Sequence, residues 1–239
     1  MKNVICGWHP INDAINAKEN IEKVLLAKNL DPKRSQSLVG RLQEAKIPVQ
    51  FVPPERLTKY KNHQGMVAVL AEIAYADEEM FLNNLDADGN YCVILADRIT
   101  DVRNIGAISR SIECFGAHAI LIPDKESAAI NEFAIKSSSG ALLKVPVIRS
   151  ANIKLTFHNF IANDFTSIAC TEKGDPIDED TFKYKRNLVI LGSEEKGISP
   201  YFLQNSGCQA KIPMHGETGS LNVSVAAGIF LHEWRKSLQ

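Results

Sequence analysis

The 239-residue sequence has no run of about 18 consecutive apolar residues, the minimum for a membrane-spanning helix. Its opening, MKNVICGWHPINDA, is too broken to serve as a secretory signal. Together these absences place the expected protein in the cytoplasm. Cysteine is sparse and scattered: Cys6, Cys92, Cys114, Cys170 and Cys208 form no CxxC pair, and no histidines cluster at metal-ligand spacing. A structural zinc site and a disulfide framework are thereby excluded, and reduced thiols with no metal are expected. No GxGxxG follows an early strand, which sets aside a dinucleotide-dependent dehydrogenase. Internal repeats and low-complexity tracts are also missing.

Net charge is nearly absent too, at −1, but its distribution is uneven. Residues 1–75 hold 11 Lys and Arg against 7 Asp and Glu, whereas residues 76–239 hold 16 against 21. The basic excess lies in front, so a polyanionic partner is expected to touch that part. There the pattern runs strand (NVIC), helix (WHPINDAINAK), a strand or helix end (IEKVLLAK), helix (SQSLVGRLQEAKI), strand (IPVQFV), short helix (RLTKY) and a strand, MVAVLAEI, ending near Ile73. The charged stretch ADEEMFLNNLDADGN, with its DADG turn, joins this unit to the rest, giving domains 1–75 and 76–239.

The second domain alternates apolar strands (YCVILAD, AHAILIP, VPVIR, TSIAC, NLVILG, CQAKIP) with helices. That pattern predicts an α/β fold with a mostly parallel sheet covered on both faces. Ligands bind such sheets beyond the carboxyl ends of the strands, and three loops there carry chemistry. After YCVILAD come Asp101, Arg103 and Asn104, the last a candidate cap, then Gly106 for close approach and Arg110 about a turn and a half into the helix. After LVIL come Gly192, Ser193, Glu194, Glu195, Lys196 and Gly197, a loop whose two glutamates would repel phosphate and suit a neutral or cationic ligand. Ser199-Pro200 then reads as a cap with proline in the first helical position. After Ile212-Pro213-Met214 the turn His215–Gly219 leads to Ser220, a candidate cap, and to a helix with Asn222 in its first turn. Asn222 and Ser224 are weak helix formers among strong ones.

The three stretches Asn104-x-Gly106-x-x-x-Arg110, Gly192-x-Glu194-x-x-Gly197 and Ile212-Pro213-Met214-x-Gly216-x-x-x-Ser220-Leu221-Asn222-Val223-Ser224-Val225-Ala226 resemble the signature motifs of the SpoU (TrmH-like) RNA 2'-O-ribose methyltransferases, in family order. The front domain, with GWHP and NHQG, resembles the RNA-binding extension of the branch that methylates a guanosine of 23S ribosomal RNA. Ile112 departs from the family, where a small residue is common.

This resemblance implies a SPOUT-type α/β knot, a deep trefoil knot, behind a small ribosomal-protein-like α/β domain. It implies a homodimer that binds S-adenosylmethionine through Thr171, Gly192, Gly197, Ile212, Met214 and Leu221 and needs no metal. Asn104, Arg110, Glu194, Ser220 and Asn222 become the expected catalytic set, with Arg110 activating the 2'-hydroxyl and Glu194 orienting a cation such as Arg110. Arg56, Lys59, Asn62, His63 and Gln64 are the expected RNA contacts, and Trp8 and His9 candidates for stacking on a base. Two alternatives remain open: methylation of transfer RNA, and a non-catalytic RNA-binding assembly factor.

Overall fold

The computed structural model describes residues 4–239 except Glu72, Glu179 and Thr218, and leaves out the side chains of Lys33, Arg34, Ser35 and Glu132. The chain divides into two compact units, Met1–Ala74 and Tyr75–Gln239.

The first unit holds β1 (Val4–Cys6), α1 (Trp8–Asn16), β2 (Ile21–Ala27), α2 (Pro32–Glu44), β3 (Val49–Val52) and β4 (Met66–Leu70). IEKVLLAK resolves as strand β2. The sheet order is β1-β4-β2-β3, with β3 parallel to β2 and the other pairs antiparallel. Ile11, Val24, Leu26, Leu38, Leu42 and Met66 are fully buried between this sheet and its two helices. RLTKY is not a helix: a single 3-10 turn, Pro54–Arg56, precedes it, and residues 57–60 are turns. Its amides bond three residues back, Leu57 N to Pro54 O and Tyr60 N to Leu57 O, both at 2.9 Å, so the segment closes tight turns instead of an α-helix. The strand expected through Ile73 ends at Leu70, and Glu72 lies outside the described residues.

The second unit runs α3 (Glu78–Asn83), β5 (Tyr91–Asp97), α4 (Val102–Phe115), β6 (Ala119–Pro123), α5 (Glu132–Ser137), β7 (Val147–Ser150), α6 (Ile153–Ala162), β8 (Thr166–Pro176), β9 (Arg186–Gly192), α7 (Pro200–Asn205), β10 (Cys208–Lys211) and α8 (Val223–Lys236). Its sheet order is β10-β8-β9-β5-β6-β7, parallel throughout. Side chains alternate across a strand. Val93, Leu95, Leu121, Leu188 and Ile190 meet Phe157 and Phe160 of α6 and Phe202 of α7 in one core. Cys92, Ile94, Ile120 and Val189 point the other way, toward the layer of α4 and α8. Burial on both faces explains why these strands read as continuous apolar runs.

The chain leaves β5 toward β6 on one side and leaves β9 toward β10 on the other. The gap between the carboxyl ends of β5 and β9 is therefore where the sheet order reverses, and crevices form at such points. Asp97 and Gly192, the last residues of the two strands, are register partners there.

Three local expectations are corrected. Asp101, not Asn104, caps α4, its Oδ1 accepting from Arg103 N at 2.8 Å; Asn104 is already helical, one turn in. Asn222, not Ser220, caps α8, its Oδ1 accepting from Ser224 N at 2.9 Å. TSIAC is only the first half of β8, which runs on to Pro176 along β10, so Thr171 lies inside a strand rather than at its end.

Candidate active site

The second loop is folded back on itself. Gly197 N donates to Ser193 O at 2.8 Å, Lys196 N donates to Ser193 Oγ at 3.2 Å, and Gly197 adopts a left-handed φ of 62°. A Cβ on Gly192 would stand 2.1 Å from the carbonyl carbon of Gly197, so only glycine lets the loop close on the strand that feeds it.

A clamp from β5 holds this turn. Asp97, only 4% exposed, accepts from Ser199 N at 2.6 Å, and Arg98 Nη2 donates to Gly197 O at 3.2 Å. The Arg98 guanidinium also lies 3.4 Å from Asp97 Oδ1, and Arg98 itself is left-handed, with φ 58°. This pair escaped the sequence reading. The available signal was a carboxylate closing the apolar strand YCVILAD, where a bare charge demands a partner. Ser199 occupies the capping position ahead of Pro200, but its side chain makes no capping bond; its amide is taken by Asp97.

Loops from three distant parts of the sequence converge on one triangle of side chains. Asn104 Nδ2 donates to Glu194 Oε1 at 3.1 Å, Asn222 Nδ2 donates to the same oxygen at 2.5 Å, and Asn222 Nδ2 also reaches Asn104 Oδ1 at 3.1 Å. Asn104 is buried, while Glu194 and Asn222 are exposed. Asn222 therefore works twice, capping α8 through its oxygen and joining the triangle through its nitrogen. Ser224 Oγ donates to Asn222 Oδ1 at 2.5 Å, which accounts for both weak helix formers.

Beside the triangle lies a cavity of about 480 Å³ whose lining includes all six expected cofactor residues, Thr171, Gly192, Gly197, Ile212, Met214 and Leu221. Glu194 and Ser220 line it as well. Met214 is 40% exposed, as befits an apolar side chain in an open pocket. Cys170 also lines the cavity, and burial pushes its thiol up to about 12, which keeps it protonated and inert as a nucleophile. The turn before α8 contains Thr218, which lies outside the described residues.

Glu194 turns to the two asparagines and not to Arg110. Arg110 is exposed on α4 and makes no hydrogen bond or ion pair with a described residue. Arg103, on the same helix, pairs with Asp101 at 2.8 Å. The carboxylate and guanidinium hydrogen-bond directly, holding the Asp101 carboxyl below its usual range. Gly106 meets the expectation of close packing: a Cβ there would stand 2.6 Å from Ala134 O on α5. Ile112 is fully buried. Among the described residues no three His, Cys, Asp or Glu side chains gather as a metal site, and no helix is long and apolar enough to cross a membrane.

In the first unit, Arg56, Lys59, Asn62 and Gln64 are exposed and His63 is half-buried, its Nδ1 accepting from Gly65 N at 3.0 Å. Asn62, Gln64 and Gly65 all have positive φ, a turn that faces Gly7 and accepts a bond from Trp8 N through Gln64 Oε1 at 3.4 Å. Trp8 packs on the unit's core, whereas His9 is exposed.

The SpoU rRNA Methylase family profile matches residues 91–232, and the profile for RNA 2'-O ribose methyltransferase substrate binding matches residues 4–76. A Staphylococcus epidermidis protein named for the TrmH family of tRNA/rRNA methyltransferases is 33% identical over 241 residues, covering 99% of this chain and 96% of its own. A Staphylococcus aureus protein of the same name is 32% identical over 234 residues, covering 96% and 94%. The fold is that of the SpoU methyltransferase AviRb from Streptomyces viridochromogenes in complex with AdoMet, with a TM-score of 0.63 at 24% identity over 99% of this chain and 90% of that one. An AdoMet-bound rRNA methyltransferase from Sinorhizobium meliloti matches with a TM-score of 0.56 at 21% identity, over 99% and 87%. With its motif loops joined in one triangle and a substrate-binding domain in front, this chain belongs to the SpoU/TrmH family of RNA 2'-O-ribose methyltransferases.

Proposed function

We propose that the protein methylates the ribose 2'-hydroxyl of a guanosine in 23S ribosomal RNA, using S-adenosylmethionine and acting as a homodimer in the cytoplasm. The union of Asn104, Glu194 and Asn222 at the edge of a cavity lined by the six expected cofactor residues carries the methyl-transfer part of this reading, and the resemblance of the front domain, with GWHP and NHQG, carries the choice of 23S ribosomal RNA.

The cavity fits that cofactor. Its volume of about 480 Å³ suits a nucleoside-sized ligand, its glycines bring backbone within reach of a base and ribose, and Glu194 and Glu195 favour a cation. Thr171, Gly192, Gly197, Ile212, Met214 and Leu221 would hold S-adenosylmethionine, which when bound supplies a methyl group made electrophilic by its sulfonium.

The remaining work falls to the protein. A ribose hydroxyl is a weak nucleophile, so the site must favour negative charge as it develops on the oxygen. Arg110 is free to do so, because no carboxylate among the described residues neutralises it. Arginine stays protonated in proteins, so Arg110 acts as an electrostatic stabiliser and an RNA phosphate takes the proton. Asn104 and Asn222, held by Glu194, and Ser220 position the nucleotide. Residues 1–75 grip the RNA through Arg56, Lys59, Asn62, His63 and Gln64, with affinity that falls as salt rises. The second and third motif loops are those that the family resemblance assigns to the knotted part of the fold.

To test this, tritiated S-adenosylmethionine is incubated with unmodified large-subunit RNA, with transfer RNA, and with each protein variant. Label in 2'-O-methylguanosine of large-subunit RNA, reduced about a hundredfold or more by Arg110→Ala, is the expected result. Label confined to transfer RNA, or none with any RNA, would refute it.

A further inference from the structure

The segment after β6 carries features that the cavity does not use. Phe133, on α5, is 63% exposed, and Leu143, shortly after it, is 65% exposed. Neither joins the apolar core formed with α6 and α7. Yet this segment is firmly held. Asn131 Oδ1 accepts from Phe133 N at 3.0 Å and from Ala134 N at 3.1 Å, capping the helix that bears the ring. The preceding loop is tied to the segment between β5 and α4 by Ala128 N donating to Ile99 O at 2.9 Å. Phe133 is thus fixed near the carboxyl ends of the strands, the end where ligands bind in such sheets.

The same segment lies along α4. A Cβ on Gly106 would stand 2.6 Å from both Ala134 O and Ser137 Cβ, and further along Lys144 pairs with Glu113 at 3.1 Å. Gly106, Arg110 and Glu113 recur at helical spacing and share one stripe of α4. Both ends of that stripe meet residues 134–144, so Arg110, between them, stands on the same shoulder as Phe133. Arg110 and Lys136 are exposed cations with no hydrogen bond or ion pair to a described residue.

An exposed ring on a segment that also carries exposed Lys136 and runs along the helix of exposed Arg110 is suited to a nucleic-acid strand, since every base offers a face for stacking and every phosphate a negative charge. We infer that Phe133 stacks on a base of the RNA substrate next to the target nucleotide, with Lys136 on a neighbouring phosphate, so that the strand is presented to Arg110. The inference rests on the proposed RNA methylation.

Full-length protein and the variants Phe133→Ala, Phe133→Leu and Phe133→Trp are titrated with an in vitro transcript of large-subunit ribosomal RNA, and KM, kcat and S-adenosylmethionine affinity are measured beside the transcript Kd. Stacking predicts that Ala and Leu raise transcript Kd and KM about tenfold, that Trp preserves both, and that kcat and S-adenosylmethionine affinity are unchanged. A Leu variant equal to wild type would overturn the inference, because apolar bulk would then suffice. So would loss of dimer in sedimentation with transcript Kd unchanged, which would assign Phe133 to contact with a second copy. If wild type binds transcript without transferring methyl, the methylation reading fails while the Phe133 comparison is still decided by transcript Kd.

Discussion

Glu194 commits one carboxylate oxygen to two asparagine amides, and those amides belong to helices separated by more than a hundred residues. Removing the acceptor strands the amide of buried Asn104 and leaves that of Asn222 only the Asn104 oxygen; hydrogen bonds to a charged group contribute about 1.5–3 kcal/mol, with the low end fitting an exposed glutamate. Glu194→Ala is therefore expected to weaken S-adenosylmethionine binding about tenfold in calorimetry, while Glu194→Gln, which keeps an acceptor, recovers most of it. Asn222→Ala removes a helix cap as well and should lower unfolding stability by about 1–2 kcal/mol in denaturant titration. Asn222→Asp should preserve the cap but lose the triangle, since two carboxylates then face each other. The thiols separate by the same physics. Burial raises the Cys170 thiol to about 12, so thiolate is scarce at all lower pH and becomes available only as pH approaches that value. Exposed Cys114 should be alkylated by iodoacetamide near about pH 8 while Cys170 is spared, as peptide mass spectrometry would show.

At the scale of elements, β5 and β9 end side by side and the Asp97–Arg98 clamp sets the turn between Gly192 and Ser199. Asp97→Ala leaves Ser199 N without its acceptor and Arg98 without its carboxylate, and should cost about 2–4 kcal/mol of stability by thermal unfolding. The strands and helices here were legible because YCVILAD and NLVILG are buried on both faces, and the loops because polar and glycine residues interrupt those runs abruptly. The caps were misplaced by one turn or less, since Ser220 and Asn222 are both good capping residues and only the fold decides which amide each can reach. The clamp was hidden for a different reason. Asp97 and Ser199 are far apart in the chain, and nothing in periodicity says that β5 and β9 are neighbours. Within one chain Glu194 meets two amides, a pairing that sequence does not suggest because a carboxylate points to an arginine before it points to asparagines.

For the whole molecule, two units with separate cores divide the labour that the proposed reaction requires. The basic excess of residues 1–75 was visible in the charge count, whereas the turn at Asn62–Gly65, with its positive φ values, was not, because only backbone geometry reveals it. Removing residues 1–74 should leave S-adenosylmethionine affinity intact and weaken RNA binding, with a shallower dependence on salt in filter-binding assays. The central claim is that the second and third motif loops form one cofactor site, and Gly192 tests it most directly, because any side chain there meets the Gly197 backbone. We would measure S-adenosylmethionine binding by isothermal titration for the wild type, Gly192→Ala and Arg110→Ala, with circular dichroism confirming the fold of each. The account predicts one site per chain, lost in folded Gly192→Ala and unchanged in Arg110→Ala. No binding by the wild type, or undiminished binding by Gly192→Ala, would contradict it.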